Sequence, residues 1–253
     1  MRQCTAKWAG KCGVKVRNDN HETRKARLLR APHGVRAELL KTTLPTATRL
    51  DGRGPLMPRP LQEVYEINER CLELLVQAAR SERLETFFLV KPLREVLREM
   101  TPETRARAAR RAFLLVDLEF ANADWWRRAK NYPTRSEPLS ADRGTFPRPS
   151  ALQLARSTLT LAWHSVRADR DAAGVMLGMN SAVASLIASL SVTEIDPIVE
   201  RRFRHVRPRW DDRPSVWWQL LRASQSENIR QDRDFNVRGL QLIAGALMSS
   251  QGK

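Results

Sequence analysis

Cysteine is scarce in this chain. Cys4, Cys12 and Cys71 are the only three in 253 residues. They are too few and too scattered for a disulfide framework, which implies a reducing, cytoplasmic setting. Histidine is as sparse, with four in all. Cys4, Cys12, His21 and His33 lack the Cys-x-x-Cys and His-x-x-x-His clips that pre-organise a tetrahedral zinc site, and His164 and His205 stand alone. No Ser-His-Asp set, phosphate loop or paired-carboxylate site can be assembled. The expectation is a protein with no catalytic residues, no metal and no cofactor. Residues 1–30 also lack the apolar core of a signal peptide. Their arginines suggest a transit peptide, but Asp19, Glu22 and Glu38 argue against one. A start at Met57, "MPRPLQEVYEINERC", stays open, which would leave residues 1–56 outside the native protein.

Long charge-free runs are missing too, with one exception. Between Asp171 and Glu194 lie 22 residues without a charge, in a chain that is 28% charged. The run contains "LGMN", in which Gly178 suits a helix end and Asn180 a helix start. It ends in "SVTE", Ser191 to Glu194, the pattern of a capping box. Asn180, the serines after it and Thr193 would be costly in lipid. We therefore read a short helix, a turn, a second helix near 180–190 and a new helix start, with no membrane span.

What the chain has in excess is positive charge. Its formal net charge is +16, and residues 1–60 carry 14 Lys/Arg against 4 Asp/Glu. Such a balance favours nucleic acid or an anionic surface through counterion release and steering. The bland alternative is a solubilising tail. Residues 1–59 read as a basic tail and linker, and residues 131–150, "NYPTRSEPLSADRGTFPRPS", read as a second, Pro-rich linker. Helical stripes fill the rest. Val64, Ile67, Cys71, Leu74, Leu75 and Ala78 form one, and Leu152, Ala155, Leu159, Ala162 and Val166 another. Further helices are expected around 84–100 and, capped by Thr101, to about 115. "VDLEFANADWW" (116–126) reads as extended or irregular.

The two halves echo one another. "CLELL" (71–75) falls on "TLTLA" (158–162), a shift of 87 residues. Leu93, Val96, Leu97 and Met100 fall on Val183, Leu186, Ile187 and Leu190, a shift of 90 that also carries Thr101 onto Ser191 and "VDLEF" (116–120) onto "VRPRW" (206–210). Trp125 and Trp126 meet Trp217 and Trp218 at a shift of 92. This predicts a first repeat over 60–130 and a second, with a C-terminal helix, over 151–253.

The second repeat resembles the FlhD family, one subunit of the bacterial flagellar master regulator. The resemblance rests on "LARSTLTLAWHSVRADRDAA", "LGMN", "SAVASLIASL", "LSVTE" and "RPRWDD", with "VRGLQLIAGAL" (237–247) as a C-terminal helix; the first repeat matches only the early part. It implies an all-α fold that pairs with a copy of itself; with the internal repeat, this makes two FlhD-like helical repeats forming a pseudo-dimer, with short irregular or strand-like segments after the third helix of each. It also implies a partner, an FlhC-like zinc-binding subunit, and promoter DNA bound so that RNA polymerase is recruited. Relatives of the pair occur on mobile conjugative elements. Homo-oligomers are expected as well.

Candidate DNA-binding residues follow from the basic runs. "ERRFRHVRPR" supplies Arg201, Arg202, Arg204, Arg207 and Arg209, whose guanidinium forks suit phosphate oxygens; the alternative is a solvated face or pairing with Asp211 and Asp212. Arg105, Arg107, Arg110 and Arg111 form a weaker counterpart. The C-terminal helix adds Arg230, Arg233 and Arg238. "AAGVMLGMNSAVASLIA" also looks like a helix-turn-helix, but its second helix offers Ser181, Ser185 and Ser189 instead of long base-reading side chains. Packing is the better reading for it, which makes Leu177, Gly178, Val183, Leu186 and Ile187, with Trp125, Trp126, Trp217 and Trp218, candidate partner- or repeat-packing residues. The functional expectation is a transcription-activating, DNA-binding subunit working with an FlhC-like partner. The alternative is a non-catalytic assembly or accessory protein of a conjugative or secretion system.

Overall fold

The structure is a computed structural model and describes residues 59–81, 89–131, 144–226 and 229–251, all within one compact unit. The basic tail, most of the second linker, and Cys4, Cys12, His21 and His33 lie outside the described residues. The described residues are mostly helical, as expected. Two long helices lead the two halves, α1 (Arg59–Arg80) and α5 (Arg148–Ala168), and they pack on each other. The sequence stripes become their buried faces, with Val64, Cys71, Leu75, Ala155, Leu159 and Ala162 all fully enclosed.

On α1 pack α2 (Val90–Arg98) and α3 (Pro102–Ala109). Thr101 caps α3 as expected, its side chain accepting from the Thr104 backbone N–H. The helix stops at Ala109, not near 115. Residues 110–115 are irregular yet largely buried, and a side chain on α1 explains how that is tolerated. Asn68 Nδ2 donates to the carbonyls of Ala109 (3.1 Å) and Phe113 (3.0 Å), while its Oδ1 accepts from the Leu115 N–H at 2.6 Å. Bare backbone there would cost more than the polar side chain does.

On α5 pack α6 (Arg170–Leu177), α7 (Ser181–Ala188) and α8 (Val192–Arg202). Asp169 caps α6, and Gly178 ends it in the left-handed region at φ 62°. Asn180 then caps α7, accepting from the Val183 N–H at 2.8 Å. Glu194 closes the capping box on Ser191, its Oε2 accepting the Ser191 N–H at 2.7 Å, and this backbone bond, with the Ser191 hydroxyl second, holds its carboxyl below the ordinary range. The charge-free run is thus two short helices bent by 115° between two caps. Among the described residues no single helix is long and apolar enough to cross a membrane.

Each half then ends in a short strand and a helix. β1 (Val116–Asp117) pairs antiparallel with β2 (Arg207–Pro208), Val116 opposite Pro208 and Asp117 opposite Arg207. Each strand is followed by a non-glycine residue at positive φ, Glu119 at 55° and Trp210 at 57°. Next come α4 (Ala123–Asn131) and α9 (Pro214–Gln225). The helical state of residues 123–126, with Trp125 and Trp126, corrects the end of the extended or irregular reading of 116–126: Asn122 Oδ1 caps α4 through the Trp125 N–H at 3.0 Å. Both end helices cross over. α4 packs on α7 and α8 of the second half, whereas α9 packs on α2 and α3 of the first. The last helix, α10 (Ile229–Gln251), lies against α9 and α6. It contains the segment 237–247 and, as expected of the C-terminal helix, Arg230, Arg233 and Arg238.

Candidate nucleic-acid interface

The structure divides the arginines of the densest basic run by what surrounds them. Arg209 is buried and cannot face a phosphate. Its backbone N–H donates to the Leu115 carbonyl at 2.7 Å. Its Nε donates to Leu114 O (2.9 Å), and one terminal nitrogen reaches both Val116 O (3.3 Å) and Leu177 O (2.5 Å). Burial pushes its pKa below the ordinary value, only partly opposed by Asp117. The guanidinium fills the space beside Gly178, where a Cβ would lie 2.1 Å from a terminal nitrogen. Gly178 therefore answers two demands at once, a left-handed backbone and the close approach of an arginine.

Arg202 is also buried, its guanidinium 5.5 Å from the ring centre of Trp125. Arg207 is half-buried and bridges Asp117 and Glu119, both at 3.3 Å, across the strand pair. Burial works to lower its pKa, but those carboxylates and Asp211 outweigh it and the net shift is upward. The ion pairs of Arg207 thus go to Asp117 and Glu119 of the first half, where Asp211 and Asp212 were the expected partners. Arg111, from the weaker cluster, is buried as well. It bonds to Asp232 of α10 (2.8 Å) and lies over the Phe235 ring at 5.4 Å. Sequence density of arginine marked a positive run but not which members are structural.

Arg201 and Arg204 remain partly exposed, and burial followed by the neighbouring Arg202 lowers the pKa of Arg201. Arg230, Arg233 and Arg238 are exposed on α10. That helix is fixed to the body by Asp232, Phe235 and Gly239. A Cβ at Gly239 would stand 2.2 Å from the Phe113 ring, so helix and ring touch where only glycine leaves room.

Packing residues divide too. Leu177, Gly178, Val183 and Ile187 are buried, Leu186 is partly so, and Trp125, Trp126 and Trp217 lie in the core. Trp217 donates its indole N–H to the Arg209 carbonyl at 2.7 Å. Trp218 departs from the other three: it is 45% exposed. The serines of α7 face solvent but bond inward or to neighbours, Ser185 to the Ser181 carbonyl and Ser189 to that of Leu186, with Lys130 donating to Ser189. They offer little to a base edge.

Two grooves stand out among the described residues. The larger, about 570 Å³ between α1 and α5, carries both signs, with Arg70 paired to Glu73 and Arg156 to Asp196 at its edges. The smaller, about 270 Å³ between α9 and α10, is lined by Gln219, Arg222, Gln231, Asp234, Phe235 and Arg238. Among the described residues no group of three His, Cys, Asp or Glu is placed to hold a metal ion. Cys71 is buried, and burial pushes its thiol pKa up, away from reactivity. No protein-family model, no curated protein and no solved structure matches the chain.

Asp211 offers a test of this electrostatic arrangement. Burial raises its pKa, Arg207 counteracts, and Asp212 adds to the rise. An acid with a raised folded pKa contributes stability present below the unfolded value of about 3.9 and lost as pH rises through the folded value. At pH 7 the charge is therefore a net burden. Asp211→Asn is expected to raise Tm by about 1–2 °C at pH 7, a small figure because the site is half open to solvent, and the gain shrinks toward pH 4. Thermal melts at the two pH values check this.

Proposed function

We propose that the chain is a non-catalytic, DNA-binding subunit of a transcription activator, built as a covalently fused pair of FlhD-like units and working with an FlhC-like partner. The observation that carries the reading is the crossing of the two end helices. A shift of 91 residues carries Glu119 onto Trp210, Ala123 onto Pro214 and Trp126 onto Trp217. The same shift makes the strand pair self-complementary, since Val116 and Asp117 fall on Arg207 and Pro208, and each pairs with the other's counterpart. With α2 equivalent to α7 and α3 to α8, the packing of α4 on α7 and α8 mirrors that of α9 on α2 and α3. Such reciprocity is the signature of an isologous, two-fold contact between like units. In this reading the shift of 91 pairs Trp126 with Trp217, and both are 1% exposed.

In this reading DNA meets the exposed arginines Arg230, Arg233 and Arg238 of α10, with Arg201 and Arg204, while Arg202, Arg207 and Arg209 hold the two units together. Contact with RNA polymerase goes through the assembled complex, in the cytoplasm. The internal use of three of the five arginines in the basic run favours a second reading, an accessory protein of a conjugative or secretion system that binds no DNA. One titration separates them. Binding to a promoter fragment is measured against salt, with and without an FlhC-like protein encoded beside the chain. Promoter preference that appears only with the partner, on a steep salt slope, is the expected result. Absence of binding in both arms sinks the first reading and leaves the second.

A further inference from the structure

Among the described residues, Trp218 is the largest hydrophobic side chain that the fold leaves exposed. Its neighbour Trp217 is enclosed, whereas Trp218 is 45% exposed on the outer face of α9. Four residues later, one turn along the same face, comes Arg222. Arg222 and Gln219 of α9 line the seam with Gln231, Arg238 and the buried Phe235 of α10. Asp234 is the acid in that lining, and the other acid of this turn, Asp232, bonds to Arg111. Arg233 is exposed on the adjoining turn of α10.

We propose that the α9–α10 seam and Trp218 form a binding site for single-stranded nucleic acid. Every base has a π-face, so an exposed indole is a sequence-tolerant stacking platform. Guanidinium groups beside it suit the phosphates that follow along the strand. The dimensions favour one strand over a duplex. The groove is about 270 Å³, room for about one nucleotide and far too small for a duplex. Duplex DNA instead admits a protein element into its own groove. The first half does not repeat the site: at the corresponding shift stands Arg127, which is paired with Asp124. The inference goes beyond promoter binding and needs no partner protein.

The test uses the full chain, with a fluorescent thymidine oligonucleotide of about 20 nucleotides and a mixed-sequence duplex of about 30 base pairs, titrated by anisotropy over a salt series. Trp218→Ala is expected to weaken oligonucleotide binding about tenfold or more while duplex binding stays within about twofold. Trp218→Phe should recover much of the loss, because a ring is restored. Arg222→Ala with Arg238→Ala should lower the log–log salt slope for the oligonucleotide by about 1.4, or about 0.7 for each phosphate no longer neutralised. The inference is overturned if the wild type does not bind the oligonucleotide. It is equally overturned if Trp218→Ala leaves that binding unchanged, or weakens both ligands alike. None of these results touches promoter binding, which is scored on the duplex with the partner present.

Discussion

Arg209→Ala is expected to destabilise the fold by about 3–5 kcal/mol, a large share of the roughly 5–15 kcal/mol that holds an ordinary domain. The substitution strips the side-chain donors from the Leu114, Val116 and Leu177 carbonyls, all inside the core, and leaves a void beside Gly178. Each bare buried acceptor costs about 1–3 kcal/mol. Arg209→Met refills the volume without the donors, so it should keep at least half of the loss. A double-mutant cycle with Gly178→Ala makes the test specific. Alone, Gly178→Ala suffers both the collision at 2.1 Å with the guanidinium and the penalty for a side chain at φ 62°. In an Arg209→Ala background the collision vanishes and only the backbone penalty of about 1–2 kcal/mol remains. The two losses should therefore fall short of additivity by about 1 kcal/mol or more, read from denaturant melts. Additive losses would mean that the two residues do not share the space assigned to them.

Gly239→Ala is the second large effect, expected at about 2–3 kcal/mol. Helix propensity alone predicts the opposite sign, a gain of about 1 kcal/mol in a helix interior. Packing decides it, because the new Cβ would stand 2.2 and 2.5 Å from atoms of the Phe113 ring. That ring cannot swing away: it is fully buried, edge-on to Trp210 at 5.9 Å and beside Phe235 at 6.4 Å. The helix must lift instead, which loosens Phe235 and the Arg111–Asp232 pair. Limited trypsin digestion reports this directly, since Arg230, Arg233 and Arg238 lie on α10. Cleavage within α10 should rise well before the global melt, and Phe113→Leu should relieve part of the Gly239→Ala defect. Protection equal to the wild type would show that Gly239 and Phe113 do not anchor α10.

What the sequence revealed, and what it hid, divides by range of interaction. The stripes of α1 and α5 and the caps at Thr101, Asn180 and Ser191 are local signals, because cap chemistry spans three residues and helix faces repeat every three or four. Gly178 was legible as a helix end but not as the seat of an arginine, since Arg209 comes from 31 positions further on. Asn68 sits silently in the α1 stripe, and its partners lie 41 to 47 residues away. The stop of α3 at Ala109 and the irregular segment after it were accordingly unreadable. Two further local signals are the caps at Asp169, which opens α6, and Asn122, which opens α4. The Asn122 cap puts Trp125 and Trp126 on a helix. Among the arginines, burial separates Arg209 and Arg202 from Arg233 and Arg238, and composition has no access to burial.

The crossing of α4 and α9 follows from no local signal, and the reading of a fused pair stands on it. Splitting the chain within the linker tests it most directly, with residues 59–131 and 144–253 produced as separate polypeptides and followed by circular dichroism and analytical ultracentrifugation. Each piece alone lacks the end helix that covers its core, α9 for the first and α4 for the second. A fused pair predicts little cooperative melting from the first piece alone and no stable folded monomer from the second. On mixing, it predicts a 1:1 complex with the helical signal and melting transition of the intact chain. A second piece that folds by itself as a cooperatively melting monomer, indifferent to the first, would contradict it.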